Sequence, residues 1–362
     1  MKIETDASFY QTEAKEVYQR SSALKTYDSC SWSYYCNYVL KLPHADNQGA
    51  LQGNVCHSFF ECMLHPRHKK SFKPIVKAKT VNAVPAAARY VRALIRKNKL
   101  PATDQIFKKI DDMILVGLNT DFYVKGGKLV GNEFRFKIKN ENPKYQIYGT
   151  IDKIALIEKE KVVQIDDFKS SKVKYSGEDK DSGVQALMYS LACKKLWPDY
   201  HPKLRFIFLQ YPNDPIQYAE FSDDVLRGFE YYLANTQEKF DKFTEKDAVL
   251  NFAADQGMPS DGSFGGTLSC GFAKKPGQLK KDGTLMWACP FKFAYDYFIV
   301  KNGDKVVRTH LKREDVVLKE GEIVETARYD GCPRFRDRVS EIPDAKIAKL
   351  FVPPAVDFLD EF

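Results

Sequence analysis

Residues 144–171 read KYQIYGTIDKIALIEKEKVVQIDDFKSS, and this stretch decides the fold. Two runs rich in alternating or continuous apolar residues flank the polar break EKEK, which predicts two consecutive strands. Side chains along a strand repeat every two residues, so Asp167 and Lys169 share one face while Phe168 turns to the core. Asp166 neighbours Asp167 but faces the other way. If the two strands pair as a hairpin, Asp152 comes close to Asp167. Two converging carboxylates suit a hard cation such as Mg²⁺ or Mn²⁺. A lysine two residues on is placed to orient water and to stabilise developing phosphate charge. The blander reading is that Gly-x-x-Asp followed by Asp-x-Lys arises by chance and that the charges are solvated.

Working outward, KLVGNEFRFKIKN (128–140) supplies a preceding strand, so three strands follow one another as a meander. GVQALMYSLACKKLW (183–197) has helical spacing. LRFIFLQYP (204–212) and IQYAEF (216–221) read as two more strands, and 223–243 as a long helix. The pattern predicts an α/β fold, a mixed central sheet of four or five strands flanked by helices. Upstream, 6–42 carries helical signals, HADNQGALQG (44–53) reads as a polar linker, and 55–64 reads as a short buried helix. Apolar spacing predicts helices over 82–98 and 104–124, forming a helical insertion before the core. Downstream, 251–272 is loop-like, and VKNGDKVVRTH (300–310) reads as a hairpin around Asn-Gly. The expected division is a helical region at 1–125, a core at 126–250 and a C-terminal extension at 251–362.

The 362 residues include 25 Phe and 20 Tyr, ample for a packed core. No run of apolar residues is long enough to predict a membrane span. The charged N-terminus lacks the apolar stretch of a secretory signal, which places the protein in a cytoplasm, or a host cytoplasm if it is phage-encoded. In that reducing setting the eight Cys are expected as thiols or metal ligands rather than disulfides. A formal charge of +8 suits a polyanionic partner but does not single one out.

Two further motifs give the central carboxylates context. Gln185 and Tyr189, four residues apart, share one helix face. Gly53-Asn54-Val55-Cys56-His57 places a histidine on the short apolar helix. Taken singly, His57 reads as a structural histidine, and Gln185 with Tyr189 as an ordinary half-polar face. In order, Gly-x-x-x-His, Gly-x-x-Asp, Asp-x-Lys and Gln-x-x-x-Tyr resemble the RecB-like branch of the PD-(D/E)XK nucleases. That branch includes nuclease domains of recombination helicase-nucleases, CRISPR-adaptation nucleases and many phage exonucleases. SSALKTYDSCSWSYYCNYVLKLP (21–43) is similar to its N-terminal segment.

The resemblance implies a restriction-endonuclease-like core in which His57, Asp152 and Asp167 ligate a catalytic Mg²⁺ or Mn²⁺, with the Phe168 carbonyl as a further ligand. Lys169 would act on the attacking water, and Gln185 with Tyr189 would contact DNA or organise the site. Glu61 and Glu133 fall near acidic positions of the family as secondary candidates, and Ser170 and Ser171 stand in a loop placed to meet a phosphate. Many members of the branch also carry an iron–sulfur cluster on one early and three late cysteines. Cys30 matches the early position and Cys289, in MWACPFKFAY (286–295), one late position. Met286 and Tyr295 occupy two others, so the set is incomplete in sequence. Cys270 and Cys332 would have to substitute from a distance. The alternative is that Cys30 and Cys289 are buried small hydrophobes.

The expected function is a metal-dependent exonuclease acting on DNA ends or single strands in recombination, repair or phage DNA processing. An endonuclease on branched DNA and a non-catalytic DNA-binding scaffold remain alternatives. Basic runs at 65–74, 92–99 and 274–283 would contact phosphates, with solvated faces as the default. The tail DFLDEF (357–362) is a candidate docking peptide for a protein partner. No Gly-x-x-x-x-Gly-Lys-[Ser/Thr] loop occurs, so no ATP motor is expected in this chain.

Overall fold

The computed structural model describes residues 17–45, 48–175, 180–249, 270–333 and 335. In chain order the N-terminal helices are α1 (Ser21–Ser29), α2 (Ser31–Tyr34), α3 (Gln48–Leu64), α4 (Phe72–Ala78), α5 (Pro85–Lys97) and α6 (Asp104–Leu118). There follow β1 (Lys128–Glu141), β2 (Lys144–Ile157), β3 (Val162–Lys169), α7 (Lys180–Leu196), β4 (His201–Phe208) and β5 (Ile216–Ala219). The chain continues through α8 (Asp223–Asp241), α9 (Glu245–Ala248), β6 (Tyr295–Asn302), β7 (Lys305–His310) and β8 (Glu322–Tyr329). Among the described residues no helix is long and apolar enough to cross a membrane.

Two compact units form, one from residues 1–22 and 46–241, the other from 23–45 and 242–362. The helices before the sheet pack into the same core as the sheet. The first unit holds a five-stranded mixed sheet in the order β1-β2-β3-β4-β5. β1, β2 and β3 pair antiparallel, as the meander requires, and β5 runs antiparallel to β4. β3 and β4 are parallel, which needs a crossover, and α7 is that crossover. The sheet and its helices make the expected α/β core.

One face of the sheet buries Phe168 and Ile207 against Phe59 and Phe60 of α3, Ile110 and Ile114 of α6, and Phe122. The Phe60 and Phe168 rings lie 4.3 Å apart between centroids. Fully burying an aromatic side chain of this kind contributes about 1.5–3 kcal/mol. Thr103 caps α6 by accepting from the Ile106 amide at 3.3 Å, and Pro85 occupies the first turn of α5, where its missing N–H is tolerated.

Two sequence expectations need correction. The reading of 44–53 as a linker ends too late: α3 already begins at Gln48 and runs 17 residues, not the short helix expected over 55–64. Gly49 and Gly53 give the stretch its linker-like composition, but the helix lies against the Ser170 loop, and a Cβ on Gly53 would come within 2.6 Å of Ser170 Oγ. Packing overrides the weak propensity of glycine here. The helical reading of 6–42 also ran too far: Gln19 is extended and bridges Ile147, α1 begins only at Ser21, and α2 passes into a π turn over Tyr35–Val39. Residues 6–16 lie outside the described residues.

The second unit is a three-stranded antiparallel sheet, order β7-β6-β8, with α1, α2 and α9. The hairpin expected over 300–310 is present as β6 and β7, with Gly303 at φ +57 in its turn. Its core joins Trp32, Cys36, Phe291, Tyr329 and Cys332. Trp32 donates its indole N–H to Tyr329 Oη at 2.8 Å, and that hydroxyl donates to the Phe291 carbonyl at 2.9 Å. The loop-like segment 251–269 and the tail 357–362 lie outside the described residues.

Candidate active site

β2 and β3 pair as far as Lys153 and Asp166, so Asp152 and Asp167 approach one another where that ladder ends. His57 enters from α3. Its Nδ1 lies 3.2 Å from Asp152 Oδ1, and its Nε2 is 3.0 Å from the Phe168 carbonyl oxygen. The Phe168 amide donates to Asp152 Oδ2 at 2.7 Å, which fixes the carboxylate against β3. Glu133, on β1, brings Oε1 to 4.0 Å from His57 Nδ1.

His57, Glu133 and Asp152 each offer one ligand atom, all within 4.8 Å of one another. One imidazole nitrogen with carboxylate oxygens is a donor set suited to a hard or borderline divalent cation, and the Phe168 carbonyl adds a neutral oxygen beside it. Asp167 is not in this group of three. Gln185 Nε2 donates to its Oδ1 at 2.9 Å, and Lys169 Nζ lies 2.5 Å from its Oδ2. Gln185 thus holds one oxygen of Asp167 by a hydrogen bond, and the other stands in an ion pair with Lys169.

Glu133, a secondary candidate in sequence, is the residue that the structure brings into the group with His57 and Asp152. It stands mid-strand at φ +47, a left-handed backbone that a side-chain-bearing residue adopts only at some expense. The β1–β2 ladder passes from Asn132–Lys153 to Phe134–Ile151, skipping Glu133 and Asp152, the two acids that turn toward His57. Glu61 does not join the group, and its carbonyl accepts from Asn132 Nδ2 at 3.0 Å.

The helix motif works as a relay of positions. Lys169 Nζ donates to Gln185 Oε1 at 2.8 Å, Gln185 Nε2 donates to Tyr189 Oη at 3.0 Å, and Tyr189 Oη donates to the Thr150 carbonyl at 2.7 Å. Gln185 thus touches both Asp167 and Lys169, and Tyr189 ties α7 to the strand that carries Asp152. Gly149 is needed here, since a Cβ would lie 2.5 Å from the Phe136 ring and 3.4 Å from Tyr189. The glycines of Gly-x-x-x-His and Gly-x-x-Asp therefore answer close approach. Ser170 Oγ donates to the Gly49 carbonyl at 3.3 Å, and Ser171 Oγ to the Val173 carbonyl at 2.7 Å.

Electrostatics follow from this packing. Burial opposes protonation of His57, but Asp152, hydrogen-bonded to it, with Asp167 and Glu133 beyond, lifts its imidazole to about 9. Both ring nitrogens face acceptors, so the metal-free histidine is an imidazolium. Burial pushes the Asp167 carboxyl up to about 6, with Lys169 working against that and Asp152 adding to it. Burial disfavours the charge on Lys169, yet the Asp167 carboxylate holds it above the ordinary lysine value. Burial, then the Asp152 charge, raises Glu133.

On the opposite face of β3, Asp166 is fully buried. Lys153 Nζ lies 2.5 Å from its Oδ2, Arg205 Nε and a terminal guanidinium nitrogen each reach it at 2.7 Å, and Lys153 also donates to the Phe122 carbonyl at 2.7 Å. Cys30 and Cys289 lie elsewhere, at a cavity of the second unit.

Beside Lys169 opens a cavity of about 630 Å³ lined by Lys109, Ser170, Ser171, Lys172 and Gln210. A neighbouring cavity of about 720 Å³ shares Lys109 and Gln210 and adds Lys79.

A solved chain from Eubacterium rectale, described as a presumed exonuclease, is similar at TM-score 0.43 and 12% identity, over 67% of this chain and 87% of that one. No curated protein matches. A family profile described as the PD-(D/E)XK nuclease superfamily matches residues 21–258, the stretch that carries His57, Asp152, Asp167, Lys169, Gln185 and Tyr189. The chain belongs to the PD-(D/E)XK nuclease superfamily.

Proposed function

We propose that the protein is a Mg²⁺- or Mn²⁺-dependent deoxyribonuclease that removes nucleotides from DNA ends or single strands, in recombination, repair or phage DNA processing. One observation carries the reading: His57, Glu133 and Asp152 converge within 4.8 Å beside the Phe168 carbonyl, on the strand that ends in Lys169. His57, Glu133, Asp152 and the Phe168 carbonyl would hold the cation, with Asp167 joining if it releases one of its present donors. When bound, the cation supplies positive charge to the scissile phosphate and acidifies water near neutral pH.

The chain's own side chains do the rest. Lys169, cationic at neutral pH, faces developing phosphate charge, and Asp167 and Gln185 hold its ammonium in place. Asp167, titrating near 6, can take up a proton near neutrality. Lys109, Lys172 and Lys79 line the two adjoining cavities, where cationic side chains track a phosphate backbone. The preference for ends follows the resemblance to recombination and phage exonucleases.

The test is digestion of end-labelled linear and closed circular DNA with Mg²⁺ or Mn²⁺. Metal-dependent release of nucleotides from linear DNA, with circles intact and Asp152→Ala inactive, is expected. Equal cleavage of circles would make it an endonuclease on the same residues. No cleavage of any DNA beyond the Asp152→Ala background would overturn the reading.

A further inference from the structure

β1 is an edge of the five-stranded sheet, and beyond Glu133 it carries a row of cations. Arg135, Lys137 and Lys139 are exposed, whereas Phe136 between them is buried and meets the Tyr189 ring of α7 edge-on. Alternation therefore leaves the three cations on the face turned away from α7. The ladder sets Arg135 opposite Thr150, Lys137 opposite Tyr148 and Lys139 opposite Gln146. Beside β2, Gln19 bridges Ile147 and buries its amide against α8, where it donates to the Leu233 carbonyl at 2.8 Å. Its neighbours Tyr18 and Arg20 thus turn to the cationic face.

On that face charge and ring surface are interleaved. The Arg20 guanidinium lies 4.6 Å from the Tyr148 ring centre, and the Lys137 ammonium 4.5 Å from that of Tyr18. The row begins two residues from Glu133, whose carboxylate approaches His57. Burial, then Asp152, raises the Glu133 carboxyl, and Arg135 is among the cations that act against this, so the first charge of the row is felt at the site. Charges on an edge strand also deter edge-to-edge pairing, but that purpose requires neither one sign at every position nor aromatic neighbours.

We propose that this face of β1 and β2 is the track for an unpaired DNA strand held at the candidate active site. Arg135, Lys137 and Lys139 would take successive phosphates, and Arg20 stacked on Tyr148 would offer a platform to a base. Same-face residues of a strand repeat about every 6.6 Å, close to the phosphate step of an extended single strand. The phosphates of a duplex strand wind around the helix axis and leave a straight row after one or two contacts. The inference rests on the nuclease reading for its substrate, and adds which form of DNA is held and by which residues.

The test is binding of a short labelled oligothymidylate in EDTA, followed by cleavage of the same strand with Mn²⁺. Neutralising the row with Arg135→Gln, Lys137→Gln and Lys139→Gln together should weaken binding at low salt at least about tenfold. It should also flatten the dependence of log affinity on log salt by about 2, since each lost phosphate contact removes about 0.7. A variant of equal charge in the second unit, with Lys305, Lys312 and Lys319 each changed to Gln, should bind like wild type. Tyr148→Leu should weaken binding at unchanged salt slope, and Tyr148→Phe should not. In cleavage the β1 triple variant should raise KM with kcat little changed. Circular dichroism checks that each variant folds. A salt slope shared by wild type and the β1 triple variant would overturn the inference. So would an equal loss in the second-unit variant, wild-type binding by Tyr148→Leu, or duplex of the same length bound as tightly as the single strand. The expected binding by a protein that cuts no DNA would remove the nuclease reading and leave the track. Unaltered binding by an active β1 variant would do the reverse.

Discussion

Asp166 and Asp167 are adjacent on β3 and point to opposite faces: Asp166 grips Arg205 through two 2.7 Å contacts, whereas Asp167 receives Gln185 and Lys169. One carboxylate is tied into the core and its neighbour faces the candidate site. Lys153 and Arg205 are themselves buried, so removing Asp166 strands two cations in the core. Asp166→Ala is expected to lower stability by about 3–5 kcal/mol. Asp167→Asn keeps the volume and relieves a buried acid, so its stability should stay within about 1 kcal/mol of the parent. Urea unfolding of the two variants measures this. Equal losses would show that both acids are structural.

The relay through Gln185 makes a separate prediction. Gln185 donates to Asp167, accepts from Lys169 and leans on Tyr189, so its loss loosens two groups at once. Gln185→Leu is expected to lower kcat about 10²-fold with KM little changed, since the fault lies in positioning. Tyr189→Phe, which removes the tie to the Thr150 carbonyl and one acceptor for Gln185 but leaves Gln185 on Asp167 and Lys169, should cost less. A rise in KM with unchanged kcat would instead make Gln185 a DNA-binding residue.

Metal binding should compete with protons. To ligate, His57 must give up a proton that its carboxylate neighbours hold up to about 9, and Asp167, held at about 6 by burial, must be ionised below that pH. Affinity for Mn²⁺ is therefore expected to rise about tenfold per pH unit from 6 to 9, and more steeply below 6. Without metal the sign reverses for stability. The His57 value is raised above its ordinary 6.5, so its contribution is complete below that pH and fades as pH rises through about 9. Calorimetric titration across this range measures the first effect and thermal unfolding the second. Affinity that does not change with pH would remove His57 from the ligand set.

The strands, the long helices and the side-chain set around β3 were legible because two periodicities write them. Alternation puts Asp167 and Lys169 together, and four-residue spacing puts Gln185 and Tyr189 together. What the periodicities do not encode was missed. The partners of Asp166, Lys153 and Arg205, sit on separate strands, and only the register of the sheet unites them. The start of α3 at Gln48 hides behind two glycines that serve packing. Cys270 and Cys332 are nameable in sequence only as distant substitutes, and their place with Cys30 and Cys289 at one cavity depends on loop paths that leave no spacing signature.

Glu133 offers the sharpest separation of fold from site. Its φ of +47 is a conformation in which a residue with a Cβ costs about 1 kcal/mol relative to glycine. Nothing in an alternating strand requires that strain, but it accompanies a carboxylate 4.0 Å from His57. Glu133→Gly is therefore expected to stabilise the metal-free protein by about 1 kcal/mol and to weaken Mn²⁺ binding at least about tenfold, the cost of one lost ligand. Glu133→Gln retains the strain and loses the charge, so it should weaken the metal without stabilising the fold. Thermal unfolding and metal titration of the pair separate the two effects. If glycine gains no stability, or if neither variant changes the metal affinity, the backbone strain at Glu133 has no link to the site.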